Sequence, residues 1–298
     1  SACWWRITTS RRNRLTQTQN KVEKMNTAEL QRFAQKIRLN TLKSLVHLGF
    51  GHFGGSLSIV ETLAVLYGKV MRLKPEDPHW EERDYFVLSK GHAGPALYAT
   101  LALKGYFPLE QLFTLNTDRT FLPSHPDRLK TPGVDATTGS LGQGISIAAG
   151  IALSHQLRGK SNRTFCIVGD GELNEGQCWE AFQFIAHRNL TNLCVIVDYN
   201  KLQLDGCLMD IINPFSLQEK FSAFGFAVET VKGDDIEALC RVLSAHSSRP
   251  LAVILDSKKG QGVPYIENLA NNHHLRLNDE SRAQIQLAID KLEAEYGD

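Results

Sequence analysis

The chain has 298 residues, 42% of them hydrophobic and 22% charged, with 33 Lys and Arg against 32 Asp and Glu and a formal net charge of +1. These figures describe an ordinary globular protein and exclude collagen-like, disordered and membrane-spanning classes, since the apolar runs stop at about five residues against roughly 18 for a span. Six basic residues and one acid fall in the first 24 positions, so the remainder carries 27 basic and 31 acidic groups, a net of −4, which suits neither nucleic acid nor an anionic membrane.

Residues 1–24 are rich in Arg, Ser and Thr with no acid before Glu23. The composition is that of a transit peptide but lacks an amphipathic pattern; the segment reads as a disordered leader, a tag or translation from upstream of a start at Met25, outside the fold. From Met25 a helix is expected up to Gly49, capped by Asn26 or Thr27, with Leu30, Ala34, Ile37, Thr41, Leu45 and Leu48 on one face. A glycine-rich turn (49–55) leads into a second helix over 56–70 with a serine cap, then a proline-marked loop. Residues 84–89 read as a buried strand running into Lys90-Gly91-His92 and a third helix; 164–168, 193–198 and 251–256 read as similar strands. Short, nearly all-apolar strands separated by helix-length segments predict an α/β fold, a mainly parallel central sheet with helices on both faces, and residues 25–298 as one domain. The six cysteines are scattered, form no CxxC pair and sit partly in apolar runs, which suits free thiols in the reducing cytoplasm.

In such sheets ligands lie beyond the carboxyl ends of the strands. After Val168 comes Gly169-Asp170-Gly171-Glu172-Leu173-Asn174-Glu175, an aspartate between glycines before a new helix: the glycines admit an anion to the backbone, the helix start offers N–H groups, and the carboxylate suits a hard cation. The next strand ends at Asp198-Tyr199-Asn200-Lys201-Leu202, adding an amide oxygen and a carbonyl. One protein charge in a magnesium site fits a metal-bound diphosphate, although Gly-Asp-Gly alone is also a common turn. Four histidines, His52, His92, His125 and His273, occupy glycine-flanked loops or helix starts, where a neutral imidazole can bind hydroxyls and move protons. Singly, each reads more readily as a solvated or structural histidine; it is their shared placement that favours a site. Thr137-Thr138-Gly139-Ser140-Leu141-Gly142-Gln143-Gly144 precedes an apolar helix (145–157) and reads either as a helix start with glycines for close packing or as a ligand contact.

Strand, Gly-Asp-Gly, helix, strand and Asn together resemble the thiamine-diphosphate-binding signature, and GDGELNEGQCWEA…DYNKLQLDG is similar to its transketolase version; the likeness runs over roughly residues 30–275. The resemblance implies the thiamine-diphosphate-binding fold, with Asp170, Asn200 and the Leu202 carbonyl holding Mg²⁺ or Ca²⁺, Gly169 and Gly171 at the diphosphate, and Glu175 near the thiamine at a subunit interface. It implies further that His52, His92, His125 and His273 line the substrate channel, with His92 also on the cofactor, and that Gly139, Ser140, Leu141 and Gln143 contact its rings. His274 adjoins His273, so a shift of one residue stays open, and Ser124 stands where the family has glycine.

Nothing after Leu277 resembles the family's pyrimidine-binding domain. The resemblance therefore implies an N-terminal transketolase subunit of the pentose phosphate type, self-associating and joined in an α2β2 assembly to a separate C-terminal subunit. It would move a two-carbon ketol unit between sugar phosphates and be inactive alone. The rival readings are a deoxyxylulose-phosphate synthase fragment, a non-catalytic cofactor-binding protein and a 2-oxo acid dehydrogenase α subunit.

Overall fold

The computed structural model describes residues 24–297; the expected leader, apart from Lys24, lies outside the described residues. Asn26 starts α1 (Thr27–Leu48) with a reciprocal capping box: its side chain accepts from the Glu29 N–H at 3.1 Å and its own N–H donates to the Glu29 carboxylate at 2.7 Å. Gly49 ends the helix at φ +85°, its N–H bonded to the Leu45 carbonyl. The expected apolar face is buried from Leu30 to Leu45.

The next segment departs from expectation. The chain turns helical already at Phe53, with His52 in the N-cap position and no side-chain cap, as α2 (Phe53–Leu57) and α3 (Val60–Val65), followed by a π-helical stretch at Leu66–Val70. Ser56 lies inside α2 and donates back to the His52 carbonyl at 2.7 Å. Every residue over 53–68 is buried, so tertiary packing rather than capping sets the helix start.

The expected strands are present as β1 (Tyr85–Leu88), β2 (Thr164–Gly169), β3 (Leu193–Tyr199) and β5 (Leu251–Asp256), with an unexpected edge strand β4 (Ala227–Lys232). All pair in parallel, in the order β1-β2-β3-β5-β4. Along β2, Phe165 and Ile167 enter one core with α1, α3, α4 (Gly94–Leu103) and α7 (Ile236–Ser244). Cys166 and Val168 enter the other, under α5 (Gln143–Leu157) and α6 (Gly176–His187). This is the alternation of a strand buried on both faces, and it confirms the α/β class.

The carboxyl ends of β1, β2, β3 and β5 deliver the loops 89–92, 170–175, 200–207 and 257–263 to one edge. Two further segments lock onto that edge. The Gly54 N–H donates to the Asn272 carbonyl at 3.0 Å and the Gly260 N–H to the Gly54 carbonyl at 3.1 Å. An antiparallel pair, Phe50 with Arg276 and Gly51 with Leu275, then sets His52 beside His274. Among the described residues no helix is long and apolar enough to cross a membrane, and the cysteines are free.

Candidate active site

A cavity of about 190 Å³ opens at this edge, lined by His92, Leu141, Gly169, Asp170, Gly171, Asn200, Leu202 and His273, all expected from sequence, and by Gly55, Lys90, Glu172, Gln203, Leu204, Asp205 and Lys259. Its volume is below the range of about 300–1,000 Å³ usual for a complete small-molecule site.

The floor is a buried charge network. Asp198, at the end of β3, accepts from Lys90 Nζ at 2.6 Å, Ser58 Oγ at 2.7 Å, Asn200 Nδ2 at 2.9 Å and Ser257 Oγ at 2.5 Å. Burial alone would raise this carboxyl; the Lys90 ammonium and the hydroxyl donors hold it below its ordinary value. Lys90, 1% exposed, also donates to the Gly55 carbonyl at 2.7 Å. Glu172 joins three loops, accepting from Ser89 Oγ at 2.5 Å, the Gly142 N–H at 2.8 Å and the Gly169 N–H at 3.0 Å.

Above this floor lies a set of hard oxygen donors. Gly169 pairs with Asp198 across β2 and β3, so the turns after the two strands meet. Asp170 accepts from the Lys201 N–H at 2.6 Å and the Gly171 N–H at 2.8 Å, and Asn200 Oδ1 accepts from the Leu202 N–H at 3.1 Å. Burial, and then the neighbouring Asp198 charge, push the Asp170 carboxyl up to about 7 against those donors, the signature of a buried anion short of a cation. The Leu202 carbonyl already accepts from the Lys259 ammonium at 3.0 Å. One carboxylate, one amide oxygen and one carbonyl fit a hard divalent ion that keeps phosphate oxygens and water among its ligands. No cluster of three or more His, Cys, Asp or Glu able to hold a metal occurs among the described residues.

The wall is histidine. The ring of His52 lies 5.2 Å from those of His92 and His273, 6.2 Å from His125 and 4.7 Å from His274; His92 and His273 are 5.0 Å apart. Burial, then the surrounding rings and lysines, lower His52 to about 4 and His273 to about 3. Burial and Lys90 lower His92, and partial burial lowers His125. All four imidazoles are thereby biased toward the neutral form. Lys259 Nζ approaches His273 Nδ1 at 3.1 Å, and burial brings its ammonium down to about 8.

The expected residues thus separate. His52 and His125 stand beside the cavity rather than in its lining, with Gly139 against His125: at φ +144°, a Cβ on Gly139 would lie 3.1 Å from that ring. Ser140 and Glu175 are solvent-exposed and outside the lining, because the turn before α5 and the start of α6 face outward. Gln143 is likewise exposed, paired with Gln177 at 2.7 Å. Between His273 and His274, it is His273 that enters the cavity lining while His274 packs on His52. Lys90, Glu172, Asp198 and Lys259 were missed; the available signal was a charged residue at or just past the end of an apolar strand.

Residues 30–292 match the family described as transketolase, thiamine diphosphate binding domain. A 6-deoxy-6-sulfo-D-fructose transketolase subunit, SqwG, of Clostridium sp. (strain MSTE9) is 47% identical over 256 residues, covering 85% of this chain and 93% of that protein. An apulose-4-phosphate transketolase subunit of Actinobacillus succinogenes is 39% identical over 248 residues, covering 82% of this chain and 88% of that protein. Among solved structures, transketolase from Campylobacter jejuni superposes with a TM-score of 0.80 at 27% identity, over 92% of this chain and 47% of that one. The chain therefore spans about half the length of the solved transketolases it matches, and nearly all of the two subunits.

Proposed function

Since this chain belongs to the transketolase family, matched across its thiamine diphosphate-binding domain, we propose that it is the cofactor-holding, N-terminal subunit of a two-component transketolase. It transfers a two-carbon ketol unit from an anionic ketose to an aldose. The observation that carries this reading is that the Asp170–Asn200–Leu202 oxygen set, His92 and His273 line one cavity too small for a whole cofactor site, with His52 and His125 beside it. When bound, thiamine diphosphate supplies the carbon nucleophile and the electron sink for cleaving a C–C bond.

In this reading Asp170, Asn200 and the Leu202 carbonyl hold Mg²⁺ or Ca²⁺. Gly169 and Gly171 leave backbone room for the diphosphate, Lys259 offsets its charge, and Leu141 and Gly139 flank the rings. His52, His92, His125 and His273, biased toward the neutral form, bind sugar hydroxyls and move protons at their free ring nitrogens. Ser140 and Glu175, exposed here, belong to the surface that a second chain covers. The partner is a separate C-terminal subunit in an α2β2 assembly; the matched lengths of the two relatives named as subunits support it. The free, partly buried thiols suit the cytoplasm. The SqwG likeness adds sulfonated ketoses to the phosphorylated donors worth testing.

The test is reconstitution with a separately produced C-terminal transketolase subunit, followed by a ketol-transfer assay on 6-phospho and 6-sulfo ketoses. Activity is expected only in the mixture. Full turnover by this chain alone overturns the two-component reading, and an assembled complex that binds no thiamine diphosphate with Mg²⁺ favours a non-catalytic protein.

A further inference from the structure

Outside the cavity lining, Arg38 on α1 and Glu61 on α3 form an ion pair at 2.5 Å, 1% and 7% exposed. The pair extends into the loop after β5. Arg38 Nε donates to the Gln261 carbonyl at 3.2 Å, and Gln261 Nε2 donates to the second Glu61 oxygen at 2.9 Å. The remaining guanidinium nitrogen donates to Gln35 Oε1 at 2.7 Å, so every group in the network is satisfied. Gly262, at φ +83°, lies flat on the guanidinium, and a Cβ there would come within 2.6 Å of Arg38 Cζ. The first half of the loop is anchored independently, by Ser257 Oγ on Asp198, by the Gly260 N–H on the Gly54 carbonyl and by Asn272 Nδ2 on the Lys259 carbonyl, whereas Gln261 is tied to the rest of the fold through Arg38 and Glu61.

We propose that Arg38, Glu61 and Gln261 act as a clamp that fixes the 257–263 loop, making them positioning residues for the Lys259 ammonium. Lys259 is two residues from Gln261, and its Nζ reaches both the Leu202 carbonyl at 3.0 Å and His273 Nδ1 at 3.1 Å. A slip of the loop by one ångström would break both contacts at once. Stability does not require charge here, because a buried ion pair is commonly replaced by well-packed apolar residues at little or no cost, whereas a fixed register is the better-attested use of such a pair. The link from this loop to the cofactor rests on the function proposed above.

Two variants test the clamp in the full chain. Gln261→Met removes the side-chain half of the clamp, the bond to Glu61, while leaving the Arg38–Glu61 pair and its bond to the Gln261 carbonyl in place, and Arg38→Met with Glu61→Leu removes both links without stranding a charge. Hydrogen exchange is followed at the loop amides whose bonds depend on its register: Gln261 N–H to the Lys258 carbonyl, Gly262 N–H to Glu267, and Val263 N–H to the Gly260 carbonyl. Expected are a melting temperature close to wild type, exchange in the loop at least tenfold faster on the order-of-magnitude scale of local opening, and at least a roughly tenfold weaker binding of thiamine diphosphate with Mg²⁺. Unchanged loop exchange, or faster exchange with undiminished cofactor binding, overturns the clamp. Cofactor binding is read in the complex with the C-terminal subunit and exchange without cofactor, so a wild-type complex that binds no thiamine diphosphate with Mg²⁺ sinks the functional reading while leaving the clamp to be decided by exchange alone. Should the double variant fail to fold, Gln261→Met carries the decision.

Discussion

The floor of the cavity and its histidine wall lie side by side, yet they are built on opposite electrostatic terms. On the floor, Lys90 and Asp198 are fully buried charges whose donors and acceptors are consumed within the protein: Asp198 accepts four hydrogen bonds, and the Lys90 ammonium is shared between Asp198 and the Gly55 carbonyl. On the wall, five imidazoles stand ring to ring with few protein hydrogen bonds, and burial biases four of them toward the neutral form, the exposed His125 only in part. A saturated network is rigid and serves to hold other groups in place; neutral rings with unused nitrogens are free to exchange protons with something that enters. The cavity is thus a fixed base under a reactive wall.

The largest effect expected from breaking this contrast is at the floor. Lys90→Met leaves Asp198 as a buried carboxylate without its counter-ion, which costs about 3–5 kcal/mol. Chemical denaturation should register that loss, and a change under about 1 kcal/mol would mean that the network is far less isolated from water than its burial indicates. On the wall, His52→Gln keeps volume and hydrogen bonding but cannot take up a proton. The expected result in the reconstituted enzyme is a fall in kcat of about 100-fold with an unchanged melting temperature. A variant that loses stability instead of turnover would place His52 with the floor.

The wall also carries a pH signature. The folded values of His52, about 4, and His273, about 3, lie below the ordinary 6.5. Between pH 6.5 and 4 the unfolded chain takes up protons that the folded chain refuses, so the stability these rings contribute is whole above pH 6.5 and is lost as pH falls through 4. The double variant His52→Gln with His273→Gln should therefore show a shallower fall of melting temperature over that interval than the wild type. Parallel acid limbs would mean that the rings titrate normally.

Both halves of the contrast left traces in the sequence, but unequally. The Gly-Asp-Gly turn, Asn200 and the histidines are legible because strand, turn and helix signals are local, and a parallel sheet brings successive strand ends to one edge. Lys90, Glu172, Asp198 and Lys259 are not legible as core residues, because a charged side chain in sequence looks like surface unless its partners are known, and those partners lie as far as 140 positions away, as Ser58 does from Asp198. The strand β4 was missed for a different reason. At the edge of the sheet only Val231 among its residues is fully buried, so the continuous apolar run that betrays the inner strands is absent. The early start of α2 escaped because packing of Phe53 and Gly54, not a capping side chain, decides it.

The smallest effect expected lies where the wall meets solvent. Gly139 sits at φ +144°, a conformation that side chains rarely adopt, and a Cβ there would lie 3.1 Å from the His125 ring. Two consequences of Gly139→Ala can be separated. The backbone strain cannot be relieved and costs about 1–2 kcal/mol, a drop in melting temperature of roughly 2–4 °C per kcal/mol for a domain of this size. The contact with His125 is different, because that histidine is exposed and its ring can swing toward water. The ketose KM should then rise by less than about tenfold with kcat nearly intact, because a ring that swings aside can return to its place when substrate binds. A kcat loss as deep as that of His52→Gln would instead mean that His125 works only in the register set by the turn at Gly139, held there as firmly as the floor is held by Lys90.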